Sequence, residues 1–320
     1  MPFTLSHPLY AAPLRKLMPS LSLTGLVLGS MAPDMEYFVA MQPYRSIGHS
    51  FIGFLTLGLP LCLAIACAYH WIIAPRLHLF MPSIGGIDNF VHQQLLPRRL
   101  AHRADWTFFD ALAILVWLLS AGIGFMSHVF VDNFTHSGGW FVLRMPALQM
   151  MIAGEYAHHW LQHSLSALGL AVPFFVLWQR WRKWHKTIFF NRSATPRPNL
   201  PFLIGLPWKK TLLLAAFAAP FLMGKLLITD QWLSISIWAV APITSFLISL
   251  YFVSILLGTG YRWRKAAAIC LPSIVILVYT LLDWNAERPL SGWIVFIWLL
   301  SASIMAGSKL CFQNSVNIRH

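Results

Sequence analysis

Three ionisable residues in the segment GFMSHVFVDNFTHSGG are spaced four apart: His128, Asp132 and His136. Four residues advance about 400° around an α-helix, so these side chains would stack along one face within roughly 12 Å. Neutral imidazoles and carboxylates are the ligands that a zinc-like divalent ion prefers. The spacing therefore predicts a metal-binding stack in which Asp132 bridges up to two ions. The same pattern is compatible with a hydrogen-bond network or a proton relay.

A second stack follows in GEYAHHWLQHS, where Glu155, His159 and His163 are again four residues apart. We interpret these three residues as further candidate ligands, with His158 beside them. Two such stacks separated by a short segment favour a metal site over isolated interfacial histidines.

The N-terminal region adds three candidate ligands: His7 in FTLSHPLY, Asp34 in GSMAPDMEYF and His49 in SIGHSF. If two ions share Asp132, a carboxylate that the ions do not fully engage can serve as a general base. Asp34 and Glu36 are the two candidates for that role.

These residues must be positioned by membrane helices. Hydrophobic residues make up 58% of the chain, charged residues 10%, and the mean hydropathy is +0.64. This composition predicts an all-α, multi-pass transmembrane helical bundle. Seven stretches are long and apolar enough to cross a bilayer: 51–74, 107–128, 161–180, 210–228, 234–258, 265–282 and 291–309.

The distribution of basic residues predicts the orientation of the spans. The net charge is +13, but its placement argues for membrane topology and against a nucleic-acid partner. The loop between the third and fourth spans has eight lysines and arginines from Arg180 to Lys210 and no acid. We therefore expect that loop and the C-terminus to be cytoplasmic. Alternation then places the N-terminus and every candidate ligand on the extracytoplasmic side of the cell inner membrane.

The candidate ligands also divide the chain. Residues 1–185 hold three spans and all of the candidates, residues 186–209 form a basic cytoplasmic linker, and residues 210–320 hold four spans with few ionisable groups. We expect the first region to carry the chemistry and the last to act as a membrane anchor. The four cysteines show no paired spacing and are expected to be apolar packing residues.

The motifs MPFTLSHP, GSMAPD, GHS and SHVFVDNFTH resemble an uncharacterised bacterial membrane family that opens with MPFT-SHP. That family is similar to inner-membrane-bound metal-dependent hydrolases and, more distantly, to zinc-dependent phospholipase C and its single-strand nuclease relatives. The matching motifs cover about residues 1 to 165.

The resemblance to phospholipase C implies a ligand order for this chain. In that order Asp132 bridges two metals, and the His159–His163 pair stands where the phospholipases have a histidine and a glutamate. Because the pair lacks that carboxylate, the resemblance implies one or two ions and leaves a third without its ligand, unless Glu155 replaces it. The implied ligands of the first two ions are His7, Asp34, His49, His128, Asp132 and His136.

Location and resemblance together predict a membrane-bound metal-dependent hydrolase with a phosphoester or lipid-linked substrate at the extracytoplasmic face. The alternative is a transport or scaffold protein in which the His/Asp cluster binds metal or relays protons without hydrolysis. A transporter would need ionisable residues deep in several spans, whereas here they cluster at span ends, which favours an enzyme.

Overall fold

The computed structural model describes residues 4–44, 46–95, 111–191, 208–229, 233–282 and 289–317. The structure is 85% helical. Seven helices in the described ranges are long and apolar enough to cross a membrane. The predictions of an all-α fold and of a multi-pass membrane protein are therefore confirmed.

The described helices, in chain order, are α1 (Pro8–Ala11), α2 (Leu14–Leu17), α3 (Leu23–Met31), α4 (Met35–Ala40), α5 (Phe51–Phe80), α6 (Ile87–Phe90), α7 (Ala111–Thr135), α8 (Trp140–Arg144), α9 (Pro146–Gln149), α10 (Ala157–Asn191), α11 (Trp208–Ile228), α12 (Ile235–Leu257), α13 (Arg262–Leu282) and α14 (Leu290–Asn317). Short 3₁₀ turns cover Thr4–Ser6, Ala32–Asp34 and Ile84–Gly86, and a π-helical turn covers Val91–Leu95. The strands β1 (Met151–Ile152) and β2 (Glu155–Tyr156) pair antiparallel, with Met151 opposite Tyr156. Each of the seven predicted spans corresponds to one long helix.

The chain divides into two compact units. The first comprises Met1–Glu36, Arg45–Cys62 and Thr107–Leu177, and the second comprises Tyr37–Tyr44, Leu63–Trp106 and Trp178–His320. All nine candidate ligands belong to the first unit. The predicted linker 186–209 lies largely outside the described residues. In the second unit an apolar core forms from α5, α12, α13 and α14, with the buried side chains Ala68, Ile72, Tyr251, Phe252, Ile255, Ala268 and Cys311.

Helix α3 packs against α7 through small residues. A Cβ atom added at Gly29 would lie 2.7 Å from the Cα of Ala121, and one at Gly124 would lie 2.7 Å from the backbone nitrogen of Ser30. Such small-residue contacts let two helix backbones approach closely inside a membrane, where no hydrophobic driving force holds helices together. The GLVLG sequence of α3 therefore sets the spacing of this helix pair.

The N-terminal region folds back along α7. Ser22 caps α3 by accepting a hydrogen bond from the Gly25 backbone nitrogen, and its own N–H donates to Ser120 Oγ over 2.8 Å. Two turns further along both helices, the carbonyl of Ser30 contacts His128. Helix α3, which we expected on the extracytoplasmic side, thus lies beside the helix of the predicted second span. Its apolar composition and small residues suit that position.

A short loop connects α4 to α5 and carries His49. Ser50 caps α5 by accepting a hydrogen bond of 3.0 Å from the Gly53 backbone nitrogen. Gly53 has no room for a side chain, because a Cβ there would lie 2.9 Å from the Gly48 backbone nitrogen and still closer to the Ile47 carbonyl group. The loop is therefore held tightly against the first turn of α5.

Substitution of Gly29 by alanine tests the close packing of α3 on α7. We expect Gly29→Ala to lower the free energy of unfolding by about 1–3 kcal/mol, since the new methyl group overlaps the Ala121 backbone. The matched control is Gly122→Ala, also within a helix, whose Cβ would meet no atom within 4 Å. This control should be neutral or stabilising by up to about 1 kcal/mol. Thermal unfolding of the two detergent-solubilised variants measures the difference, and equal stabilities would contradict the packing argument.

Candidate metal centre

Six of the predicted ligands meet in the first unit, and four segments of the chain supply them. His7 follows the Thr4–Ser6 turn, Asp34 ends the Ala32–Asp34 turn, and His49 lies in the loop before α5. The last turns of α7 carry His128 and Asp132, and His136 follows directly after that helix. Side chains as distant as residues 7 and 136 in sequence thus share one cluster.

Asp132 is the centre of the cluster, since four imidazoles surround it. Its Oδ2 lies 3.2 Å from His128 Nε2, 3.5 Å from His49 Nε2 and 3.7 Å from His136 Nδ1. Its Oδ1 lies 3.7 Å from His7 Nε2. The two oxygens of one carboxylate therefore face different histidines. This arrangement suits a bridging ligand, with His7 beside Oδ1 and the other three histidines beside Oδ2.

Asp34 lies beside the same histidines and is fully buried. Its Oδ1 is 3.4 Å from His49 Nε2, and its Oδ2 is 3.9 Å from His128 Nε2. The hydroxyl of Thr4 donates a hydrogen bond of 2.8 Å to Oδ2, which fixes the orientation of the carboxylate. Asp34 and Asp132 thus approach His128 and His49 from two sides.

Backbone carbonyls orient two of the histidines. His128 Nδ1 lies 2.7 Å from the carbonyl oxygen of Ser30, and His136 Nδ1 lies 3.0 Å from that of Asp132. An Nδ1–H that donates to a carbonyl leaves Nε2 with a free lone pair, as in many metal-binding histidines. Both Nε2 atoms are buried and have no hydrogen-bond partner among the described residues. His128 thus presents Nε2 as a potential ligand atom. The atom of His136 that lies near Asp132 is Nδ1, and the role of His136 as a ligand remains a prediction.

The separations within the cluster fit a tetrahedral ion better than direct hydrogen bonds. Ligand atoms held about 2.0–2.1 Å from a tetrahedral zinc lie about 3.3–3.4 Å apart. The described residues contain two groups in which all the potential ligand atoms lie within 4.8 Å of one another. The first group is His7, His128 and Asp132, and the second is Asp34, His49 and His128. Both groups include His128, which offers only Nε2. One histidine nitrogen binds one ion, so a second ion would need another ligand in one group.

The two carboxylates give the cluster a negative charge that suits a cation. Every ion-pair partner that the described residues offer to Asp34 and Asp132 is a histidine. Burial, followed by the neighbouring His128, lowers the pKa of His7 to about 3, so this imidazole is neutral at physiological pH. Burial alone would raise the pKa of Asp34, but the neighbouring His49 and His128 bring it below its usual range. The donor set, two carboxylates with several imidazoles, fits a divalent ion of the zinc type.

Glu36 has a structural contact that differs from the general-base role suggested for it. Its buried carboxylate accepts hydrogen bonds from the Ser46 hydroxyl, from the Ser46 backbone nitrogen at 3.4 Å and from the Gly48 backbone nitrogen at 3.1 Å. A Cβ at Gly48 would lie 2.6 Å from Glu36 Oε2, which explains the glycine at this position. Glu36 thus holds the loop that carries His49.

The second predicted stack has a different arrangement. Glu155 lies in β2 and not on a helix, and its Oε2 is 2.8 Å from His159 Nδ1 in an exposed pair. His163 is exposed on α10. Neither of the two groups of potential ligands found among the described residues includes these three. Their role as ligands remains a prediction.

His158 lies between Glu155 and His159 in the sequence, and its burial and hydrogen bonding are like those of His128. It is 4% exposed, and its Nδ1 lies 2.9 Å from the Leu148 carbonyl oxygen. Its buried Nε2 has no hydrogen-bond partner among the described residues. Of the three histidines in this segment, His158 therefore has the orientation and burial that a ligand requires.

Two contributors to the site were absent from the sequence analysis: the Thr4 hydroxyl and the Ser30 carbonyl. Thr4 stands three residues before His7 in MPFTLSHP, so its position within a motif was an available signal. Ser30 acts through its backbone, and a carbonyl group has no residue-type signature.

Fold and site together define a multi-pass helical membrane protein with a buried His/Asp cluster at the end of its second span. The chain belongs to the family described as domain of unknown function DUF4184, whose model matches residues 1–282. The match extends well beyond the motifs in residues 1–165, so the family includes most of the later spans. No curated protein and no solved structure matches the chain.

Metal analysis of the purified protein tests the cluster. We expect at least one divalent ion per chain, lost in His128→Ala and Asp132→Ala because each removes a central ligand. His92→Ala is the matched control, since this exposed histidine is not a candidate ligand and lies outside the two ligand groups. Elemental mass spectrometry gives the stoichiometry. A wild-type protein without metal after purification in zinc-containing buffer would refute the site.

Substitution of Glu36 by glutamine tests the support of the His49 loop. The amide retains one acceptor but places a donor toward backbone N–H groups, so we expect a loss of about 1–3 kcal/mol in unfolding free energy and weaker metal binding. Asp88→Asn, a carboxylate outside the candidate ligands whose hydrogen bond with Ser83 is exposed, should leave both unchanged. Metal titration and thermal unfolding provide the two measurements. Unaltered metal affinity in Glu36→Gln would show that the loop does not depend on this carboxylate.

Proposed function

We propose that this chain is a membrane-bound metal-dependent hydrolase that acts on a phosphoester or lipid-linked substrate at the extracytoplasmic face of the cell inner membrane. The observation that supports the proposal most is the meeting of six predicted ligands, in which four histidines lie around the carboxylates of Asp132 and Asp34. The resemblance to metal-dependent hydrolases supplies the reaction class. The distribution of lysine and arginine supports the orientation.

The residues that would hold one or two zinc-like ions are His7, Asp34, His49, His128, Asp132 and His136. When bound, such an ion polarises a phosphoryl or acyl oxygen and lowers the pKa of a coordinated water. Low local dielectric strengthens both effects in a buried cluster. The Ser30 carbonyl orients the His128 imidazole so that its Nε2 already faces the two carboxylates.

The two carboxylates would have separate tasks. Asp132 presents one oxygen to His7 and the other to His49 and His128, which suits a ligand shared between ions. Asp34 is our candidate for the general base, with Oδ1 as the proton acceptor. The Thr4 hydroxyl already engages Oδ2. Glu36 is excluded from this role by its hydrogen bonds to the Ser46–Gly48 loop.

A hydrolysis assay with Asp132→Asn tests this function. We expect metal-loaded wild-type protein to cleave a member of a panel of phospholipids and lipid-linked phosphates, and the variant to lose about 10²-fold or more of the rate. The amide has nearly the shape of the carboxylate, so helix α7 should remain folded, which circular dichroism verifies.

Asp88→Asn is the control and should retain the wild-type rate, since Asp88 is not a candidate ligand and lies outside the two ligand groups. Metal-loaded protein that hydrolyses no member of the panel would overturn the proposal. That result would favour the alternative of a non-catalytic transport or scaffold protein with a metal-binding cluster.

A further inference from the structure

The segment that follows the metal cluster exposes an unusual amount of apolar surface. Residues 139–160 contain only two formal charges, Arg144 and Glu155. Six large side chains in this segment are roughly half-exposed or more, and we call them the 140–160 surface: Trp140, Leu143, Met150, Met151, Ile152 and Trp160. Half-exposed apolar side chains in this number are uncommon on a loop that faces water and indicate an interaction site.

This segment is structured by specific hydrogen bonds. The Trp160 indole donates to the Ile152 carbonyl over 2.8 Å, and the Ala157 backbone nitrogen donates to the Met150 carbonyl over 2.8 Å. The Gln149 side chain donates to a carbonyl of helix α8 over 2.7 Å. These hydrogen bonds hold the segment in a defined arrangement, in which the six apolar side chains are exposed.

The position of the segment points to the bilayer as the medium on this surface. The candidate spans Ala111–Arg144 and Ala157–Ile188 overlap its two ends, where its two tryptophans stand. Trp140 is covered by the Arg144 guanidinium, 4.3 Å from the ring centroid. Aromatic rings beside a cationic side chain are typical of the zone where headgroups meet acyl chains.

We propose that the 140–160 surface is an interfacial lipid-binding element that lies in the membrane leaflet next to the metal cluster. The helices α8 and α9 and the β1–β2 hairpin rest on the acyl boundary, in the manner of a monotopic segment. Insofar as it concerns the substrate, the inference rests on the proposed function. It specifies an amphiphile that remains in the bilayer while its headgroup reaches the cluster.

Spin labels measure the depth of this surface without reference to activity. Of the four cysteines only Cys270 is exposed, so Cys270→Ala provides the background. Labels are attached in Leu143→Cys and Ile152→Cys, with Gly138→Cys as the control in an exposed turn where a Cβ meets nothing within 4 Å. The proteins are reconstituted in vesicles of phosphatidylethanolamine and phosphatidylglycerol.

We expect labels 143 and 152 to favour molecular oxygen over a water-soluble nickel complex, at a depth of about 5–10 Å. Label 138 should show the opposite preference. Nickel accessibility at 143 and 152 equal to that at 138 would overturn the proposal. Shielding of these labels from both reagents would also overturn it, because a protein partner or second copy would then cover the surface.

A double variant, Met151→Asp with Ile152→Asp, tests the link to the substrate. Its rate on vesicle-embedded phospholipid should fall about tenfold, since two carboxylates resist insertion into the leaflet. Its rate on the water-soluble diester bis(4-nitrophenyl) phosphate should stay within about twofold of wild type. Equal losses on both substrates would refute lipid delivery by this surface. A wild type inactive on both would refute the proposed hydrolase, while the labels would still decide the membrane contact.

Discussion

Two carboxylates buried among imidazoles impose the main physical constraint on the first unit. Asp34 is fully buried and Asp132 is 8% exposed, and a buried carboxylate without a counter-charge costs several kcal/mol. Burial keeps His7 neutral at physiological pH, so this imidazole does not balance the two negative charges. A divalent cation would satisfy this constraint with the donors already present. The surrounding structure can be understood as the means of holding these donors in place.

The close approach of α3 to α7 is the most important of these means. Because glycines line the contact, the Ser30 carbonyl reaches His128 Nδ1 and turns Nε2 toward the carboxylates. The loop before α5 acts in a similar way, since Glu36 holds its backbone and thereby the position of His49. Both devices use short-range packing and backbone hydrogen bonds in place of further charged side chains. This choice suits an apolar surrounding, where each additional ionised group would carry its own desolvation cost.

Length and apolar composition were sufficient to predict the spans. Helical periodicity was sufficient to place His128 and Asp132 together at the end of α7, because residues four apart share one helix face, whereas His136 follows that helix. It was not sufficient for Glu155, where a two-stranded hairpin replaces the expected helical turn. His7, Asp34 and His49 were candidates by residue type, but their meeting depends on the fold-back of the N-terminal region, which spacing does not predict. The carbonyl of Ser30 and the anchoring role of Glu36 required coordinates, since both depend on backbone positions that residue types do not encode.

The geometry of α7 also links the cluster to the apolar surface beyond it. The Asn133 side chain, one residue after Asp132, accepts a hydrogen bond of 2.8 Å from the Trp140 backbone nitrogen. A Cβ at Gly139 would overlap the Asn133 backbone, so the turn between them is tight. The first tryptophan of the surface is therefore tied to the helix that carries the central carboxylate. A bilayer that sets the depth of Trp140 would also set the height of Asp132 relative to the headgroups. This coupling fits the proposed action on the polar ends of lipids.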